Sequence, residues 1–165
     1  MTAPVRTSFT SRAGADELFA ALTSDAFVQR RAERFGDGAT VVRREPRPDG
    51  GLLLAVAREL PDGAPGFLTR LLPKDGRVVQ TDDWGPADAD GSRSGTWQVD
   101  LPGAPARLGG TLRVEPVGGG TRLLREGEVK VSVPLVGGKA EQFVADMVEK
   151  LGQKESALLL ELIAS

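Results

Sequence analysis

The stretch 137–163, GGKAEQFVADMVEKLGQKESALLLELI, decides the fold. Wound at about 100° per residue, Phe143, Val144, Met147, Leu151, Leu158 and Leu162 fall on one apolar stripe, the spacing of an amphipathic helix. Its length makes it the dominant helix of the chain, starting near Leu135 or Gly137 and ending near Ile163. Two residues interrupt the stripe: Glu155 projects from its middle, and Gly152 at its edge contributes no side chain. A packed core takes neither an unpaired carboxylate nor a gap, so the surface this helix faces becomes the central question.

Immediately upstream the period changes. Between Gly38 and Val133 the chain reads as strands separated by turns: TVVRREP (40–46) and GLLLAVAREL (51–60) flank the hairpin loop RPDGG. RVVQTDDWG (77–85) and SGTWQVDL (94–101) flank PADADGSR, and RLGGTLRVEP (107–116) and TRLLREGEVKVSV (121–133) flank a glycine run. None of these connections holds a helix long enough for a parallel crossover, so the strands form an antiparallel meander. Ahead of it, PVRTSFT (4–10) alternates as a first strand, followed by two short helices, GADELFAALTSD (14–25) and DAFVQRRAERF (25–35). Ser24 is placed to cap the second, which stops at Gly36; Arg30, Arg31 and Arg34 lie toward its C-terminal end, where they complement the helix dipole. A twisted sheet of six or seven strands has a concave face, and the C-terminal helix is the only element able to cover it. The expected architecture is one α+β domain over residues 1–165.

Composition narrows function. A formal charge of -2 supplies no excess to attract phosphates, which argues against nucleic acid as partner. No run is long and apolar enough for an integral membrane segment, and the N-terminus lacks the apolar core of a signal peptide, so a cytoplasmic protein is expected. With no cysteine, histidine or tyrosine, disulfides, thiolate metal sites and the usual neutral-pH proton carriers are absent, which argues against an enzyme. VGGKAE (136–141) is not a phosphate loop, because Val133 and Ala140 stand where a glycine and a serine or threonine are required. DDWGPADADG (82–91) lacks the closing glutamate of a calcium loop, so no metal and no cofactor is implied.

Four segments carry a resemblance: DELFAALTSDAFVQRR (16–31), TDDWG (81–85), GAPARLGGTLRVEP (103–116) and GEVKVSVPLVGGKAEQFV (127–144). With the element order, they make the chain similar to the START-like (SRPBCC) superfamily of helix-grip proteins, and within it to an actinobacterial family of unknown function, DUF2505-like. The resemblance implies a sheet wrapped around the C-terminal helix, over a cavity that in the wider superfamily takes lipids, sterols or polyketides. The expected partner is therefore a small hydrophobic molecule. Trp84, Trp97, Leu112, Val131, Phe143, Met147 and Leu151 are candidate lining residues, with Glu155 as a polar anchor or as half of an ion pair. Arg58 and Arg44 are the strand arginines that could face it. Phe67, Leu68, Leu71 and Leu72 form an apolar patch among Pro and Gly, a candidate lid at the entrance. Two other readings stay open: a polyketide cyclase or dehydratase, requiring placed acids in the cavity, and a chaperone-regulator-like interaction module with a filled interior. Ligand identity and oligomeric state are not encoded in any of these signals.

Overall fold

The computed structural model describes residues 2–60, 66–70 and 76–164. Its elements run β1 (Ala3–Ser11), α1 (Ala15–Leu22), α2 (Asp25–Phe35), β2 (Thr40–Pro46), β3 (Leu52–Glu59), α3 (Gly66–Thr69), β4 (Arg77–Trp84), β5 (Arg93–Asp100), β6 (Ala106–Val117), β7 (Gly120–Val131) and α4 (Gly137–Ala164). The strands form one antiparallel sheet in the order β1-β7-β6-β5-β4-β3-β2, so the meander and the first strand join as the sequence leads one to expect. Ser24 does cap α2, its hydroxyl accepting the Phe27 N–H at 3.1 Å. Leu71 and Leu72 of the expected lid lie outside the described residues, as do the side chains of Phe67 and Leu68.

Curvature comes from glycines. The register sets Gly110 opposite Trp97 on one side and Gly127 on the other. A Cβ on Gly110 would lie 2.0 Å from the Glu126 carbonyl oxygen, and one on Gly127 2.2 Å from that of Gly109. The backbones approach too closely there for any side chain, which is how a sheet bends sharply. Trp97 lies over the bend, and its Nε1–H donates to the Glu126 carbonyl at 3.0 Å.

The pairing also fixes which residues share the concave face. Leu54, Val56 and Arg58 of β3 stand beside Asp82, Gln80 and Val78 of β4, and Trp97 and Val99 of β5 continue the rows. Leu123, Arg125 and Val129 do the same on β7. Helix α4 crosses this face close to β1 and β7 and makes no comparable approach to β3, β4 or β5. Gly152 sets the close side: a Cβ there would meet Thr7 Cγ2 at 2.6 Å, so the missing side chain is what lets α4 approach β1. At the start of α4 the buried Glu141 carboxylate accepts the Val131 N–H at 2.8 Å, tying the helix to the end of β7.

One end of the concave face is closed. Trp84 is fully buried, edge-to-face with Phe19 at 5.3 Å, and the Arg93 guanidinium stacks on the same Phe19 ring at 4.0 Å. Leu18, Leu112, Val114 and Leu158 complete the apolar packing. Among the described residues, no helix is long and apolar enough to cross a membrane.

Candidate functional site

Because α4 is pinned to β1 and β7 and stands off from β3–β5, a wedge remains between helix and sheet. Side chains divide it into three small chambers of about 50, 20 and 20 Å³. Arg125 and Glu155 border all three, so they are the partitions. A larger pocket of about 310 Å³ opens beside them, bordered by the C-terminal end of α2, the end of β3 and the middle of α4. Arg58 borders this mouth and two inner chambers, which places it at their junction. A roomier concavity, about 1080 Å³, lies on the opposite side of β5–β7, where Thr96, Gln98, Arg107, Glu128 and Lys130 border a wide dish open to solvent. An open polar dish offers no enclosed surface to a small molecule, so the wedge is the candidate site.

The interior of the wedge is polar. Arg31, on the inward face of α2, is buried; its Nε donates to Asp37 Oδ2 at 3.0 Å and its Nη1 pairs with Glu155. Asp37 is buried too, and its other oxygen accepts the Ala39 N–H at 3.0 Å. Burial lowers the Arg31 pKa, while the charge and hydrogen bond of Asp37 oppose that shift. Arg58 donates through Nη1 to Gln80 Oε1 at 2.9 Å, and Gln80 Nε2 donates to Asp82 Oδ1 at 3.0 Å. No carboxylate of the described residues reaches ion-pairing distance of Arg58. Part of its surface stays open, yet the surrounding protein removes enough water that desolvation lowers its pKa to about 9. The charges of Arg31 and Arg125 push it the same way, against Asp37 and Asp82. At neutral pH Arg58 remains charged. Arg125 lies with its guanidinium 5.2 Å above the Trp97 ring and has no hydrogen-bonded partner among the described residues.

The expected lining residues separate into two groups. Trp97, Leu151 and Glu155 border the chambers. Trp84 packs at the closed end; Leu112 and Val131 are buried in the core; Phe143 packs against that core, and Met147 is half-buried on α4. None of these five borders a chamber. The partner of Glu155 is Arg31 rather than either strand arginine considered for it: Arg58 binds Gln80, and Arg44 binds Asp25 at 2.7 Å. Nor is Arg31 simply a dipole-complementing surface cation, since it bridges two carboxylates below the helix; Arg34 is the exposed one, paired with Glu161 at 2.9 Å.

Sequence reasoning missed Gln80, Asp82 and Arg125. The signal was present in the alternation. Leu52, Leu54 and Val56 place Arg58 on the inward face, and Val78 and Trp84 place Gln80 and Asp82 there. Leu123, Val129 and Val131 likewise put Arg125 inside.

The comparisons with known proteins agree on the architecture. A protein from Thermus thermophilus, TTHA0849, superposes with a TM-score of 0.64 at 15% identity, covering 98% of this chain and 97% of that one. The Zhui aromatase/cyclase from Streptomyces sp. R1128 gives 0.52 at 17%, covering 99% and 92%. Norcoclaurine synthase from Thalictrum flavum gives 0.57 at 13%, covering 99% and 87%. Identities this low speak for the shared helix-grip fold alone. An uncharacterised protein of Mycobacterium tuberculosis is 29% identical over 89 residues, which is 53% of this chain; the match spans about half, 51%, of that relative's length. The model of a family described as protein of unknown function (DUF2505) matches residues 6–163. That span takes in most of β1, the whole meander and nearly all of α4, the elements that build the wedge, and the chain belongs to this DUF2505 family.

Proposed function

We propose that the protein binds a small, largely apolar molecule, of lipid or polyketide-like character, in the wedge between the sheet and α4. The observation that carries this reading is the partitioned cavity. A helix pinned on one side and standing off on the other leaves chambers separated only by side chains, beside a 310 Å³ mouth of the size that accepts a small ligand. Trp97, Leu151, Val148 and Leu108 supply apolar wall, and the Arg31–Glu155 pair crosses the cavity as a polar partition. Trp84, Leu112, Val131, Phe143 and Met147 serve as the frame that holds those walls. The norcoclaurine synthase structure contains dopamine and hydroxybenzaldehyde, so a protein of this fold does hold small aromatic molecules. A cyclase or dehydratase reading is disfavoured, because the carboxylates within the wedge, Asp37, Asp82 and Glu155, are already engaged by Arg31 and Gln80, and Glu59 lies exposed at the mouth.

The test is native mass spectrometry of freshly purified protein with organic extraction, alongside titration with the neutral fluorophore N-phenyl-1-naphthylamine. A co-purifying apolar species, or saturable fluorophore binding that Leu151→Trp abolishes without loss of fold, supports the reading. No co-purifying species together with no saturable binding overturns it.

A further inference from the structure

Resting on that cavity, the arrangement of arginines specifies the chemistry of its occupant. We infer that the ligand carries a carboxylate, seated against Arg58 where the mouth meets the inner chambers.

Donors outnumber acceptors around this junction. A guanidinium presents five N–H donors in a planar fork. Arg31 engages its donors with Asp37 and Glu155, and Arg34 with Glu161. Among the described residues Arg58 has one hydrogen bond, to a neutral amide, and its other donors are not sealed away from the cavity. Arg125 borders the same two inner chambers as Arg58 and, among the described residues, engages only the face of Trp97. The carboxylates bordering the same space, Asp37, Asp82 and Glu155, face Arg31 and Gln80 instead, and Glu59 at the mouth is exposed to solvent. Two cations with open donors therefore border one cavity; Asp82 offsets part of their mutual repulsion, and an anion between or beside them relieves the rest.

A carboxylate fits better than a hydroxyl or a keto oxygen, because its two oxygens match the guanidinium fork and the bonds are charge-assisted. The apolar remainder of the ligand has Phe35, Leu60 and Leu151 at the mouth and Trp97 within. A mouth of about 310 Å³ suits an aromatic or short acyl acid rather than a sterol.

A matched pair of competitors tests this: 1-naphthoate and the neutral 1-naphthalenemethanol, each displacing N-phenyl-1-naphthylamine at pH 7 from wild type, Arg58→Met and Arg58→Lys. Naphthoate is expected to compete at least about tenfold more strongly than the alcohol on wild type. Arg58→Met should weaken naphthoate by about 10- to 100-fold and the alcohol by less than about threefold, with Arg58→Lys between. If Arg58→Met fails to fold, the wild-type pair and Arg58→Lys decide the matter alone. Saturable fluorophore binding with naphthoate no better than the alcohol, including the case where neither displaces the probe, overturns the carboxylate assignment and leaves the cavity reading standing. Failure of the fluorophore to bind at all defeats the cavity reading, and this inference with it.

Discussion

Arg93 and Arg58 both point into the concave face, and they do opposite things there. Arg93 closes its end: it stacks 4.0 Å over Phe19, donates to the Gly50 carbonyl at 3.1 Å, and sits beside the fully buried Trp84. Arg58, at the other end, meets one amide oxygen, faces two further arginines and borders open space. The difference lies in what surrounds the fork. Backbone carbonyls and an aromatic face turn an inward arginine into packing, even with the Arg93 Nε buried and unpartnered among the described residues, whereas a neutral amide and like charges leave Arg58 with donors that open onto the cavity. One end of the grip is thus packed shut, and the other keeps a desolvated cation beside open space at some expense to stability.

Removing the plug should give the largest effect. Trp84→Ala deletes the biggest buried side chain of the closed end and is expected to destabilise by about 3–5 kcal/mol, lowering Tm by roughly 10 °C or more. A fall of only a degree or two would erase the contrast between the ends.

The open end should respond with the other sign. Arg58→Met replaces an unpaired interior cation with an apolar group of similar length, and stability is expected to rise by about 1–3 kcal/mol in thermal melts at pH 7. The pH dependence follows from the depressed pKa. Above about 9 the folded wild type gives up the Arg58 proton more readily than the unfolded chain does, so the desolvation cost fades as pH rises. The advantage of Arg58→Met should be full below a pH of about 9 and narrow progressively above it.

Gly152 joins the two ends by setting how α4 lies. Gly152→Ala gains helix propensity but drives a Cβ into Thr7, for a net loss of about 1 kcal/mol. Adding Thr7→Ala should remove the 2.6 Å contact, leaving only the milder one to the Thr7 Cβ at 3.2 Å, and bring the same substitution to neutral or stabilising, a reversal read directly from a double-mutant cycle. Smallest of all is Arg34→Ala. Its pair with Glu161 is exposed at the solvent edge of the mouth, and Tm should not change measurably.

How much of this was legible beforehand depends on the range of the interaction. α4, the hairpins and the Ser24 cap are local: period, turn chemistry and capping residues lie within a few positions of one another. Gly152 stood out as a gap in an apolar stripe, and the structure supplies its reason in Thr7. The Arg31–Glu155 pair joins residues 124 positions apart, and nothing local to either names the other. Arg31 also had a sufficient local explanation at the end of α2, which hid its inward direction. Gln80, Asp82 and Arg125 could have been found by extending the alternation through polar positions. Attention to apolar residues as cavity walls passed over them, although the cavity proved to be bordered as much by charge as by hydrocarbon.

The glycine bend has a consequence for how such a protein can change. The curvature behind Trp97 is fixed by backbone contacts at Gly110 and Gly127 that leave no room for a Cβ, so those positions are closed to substitution. Arg58, Gln80 and Arg125 are held by no such contact. On the proposed reading, shape and selectivity are written in separate sets of residues, so side chains on the inner wall can be altered while the vessel is inherited unchanged.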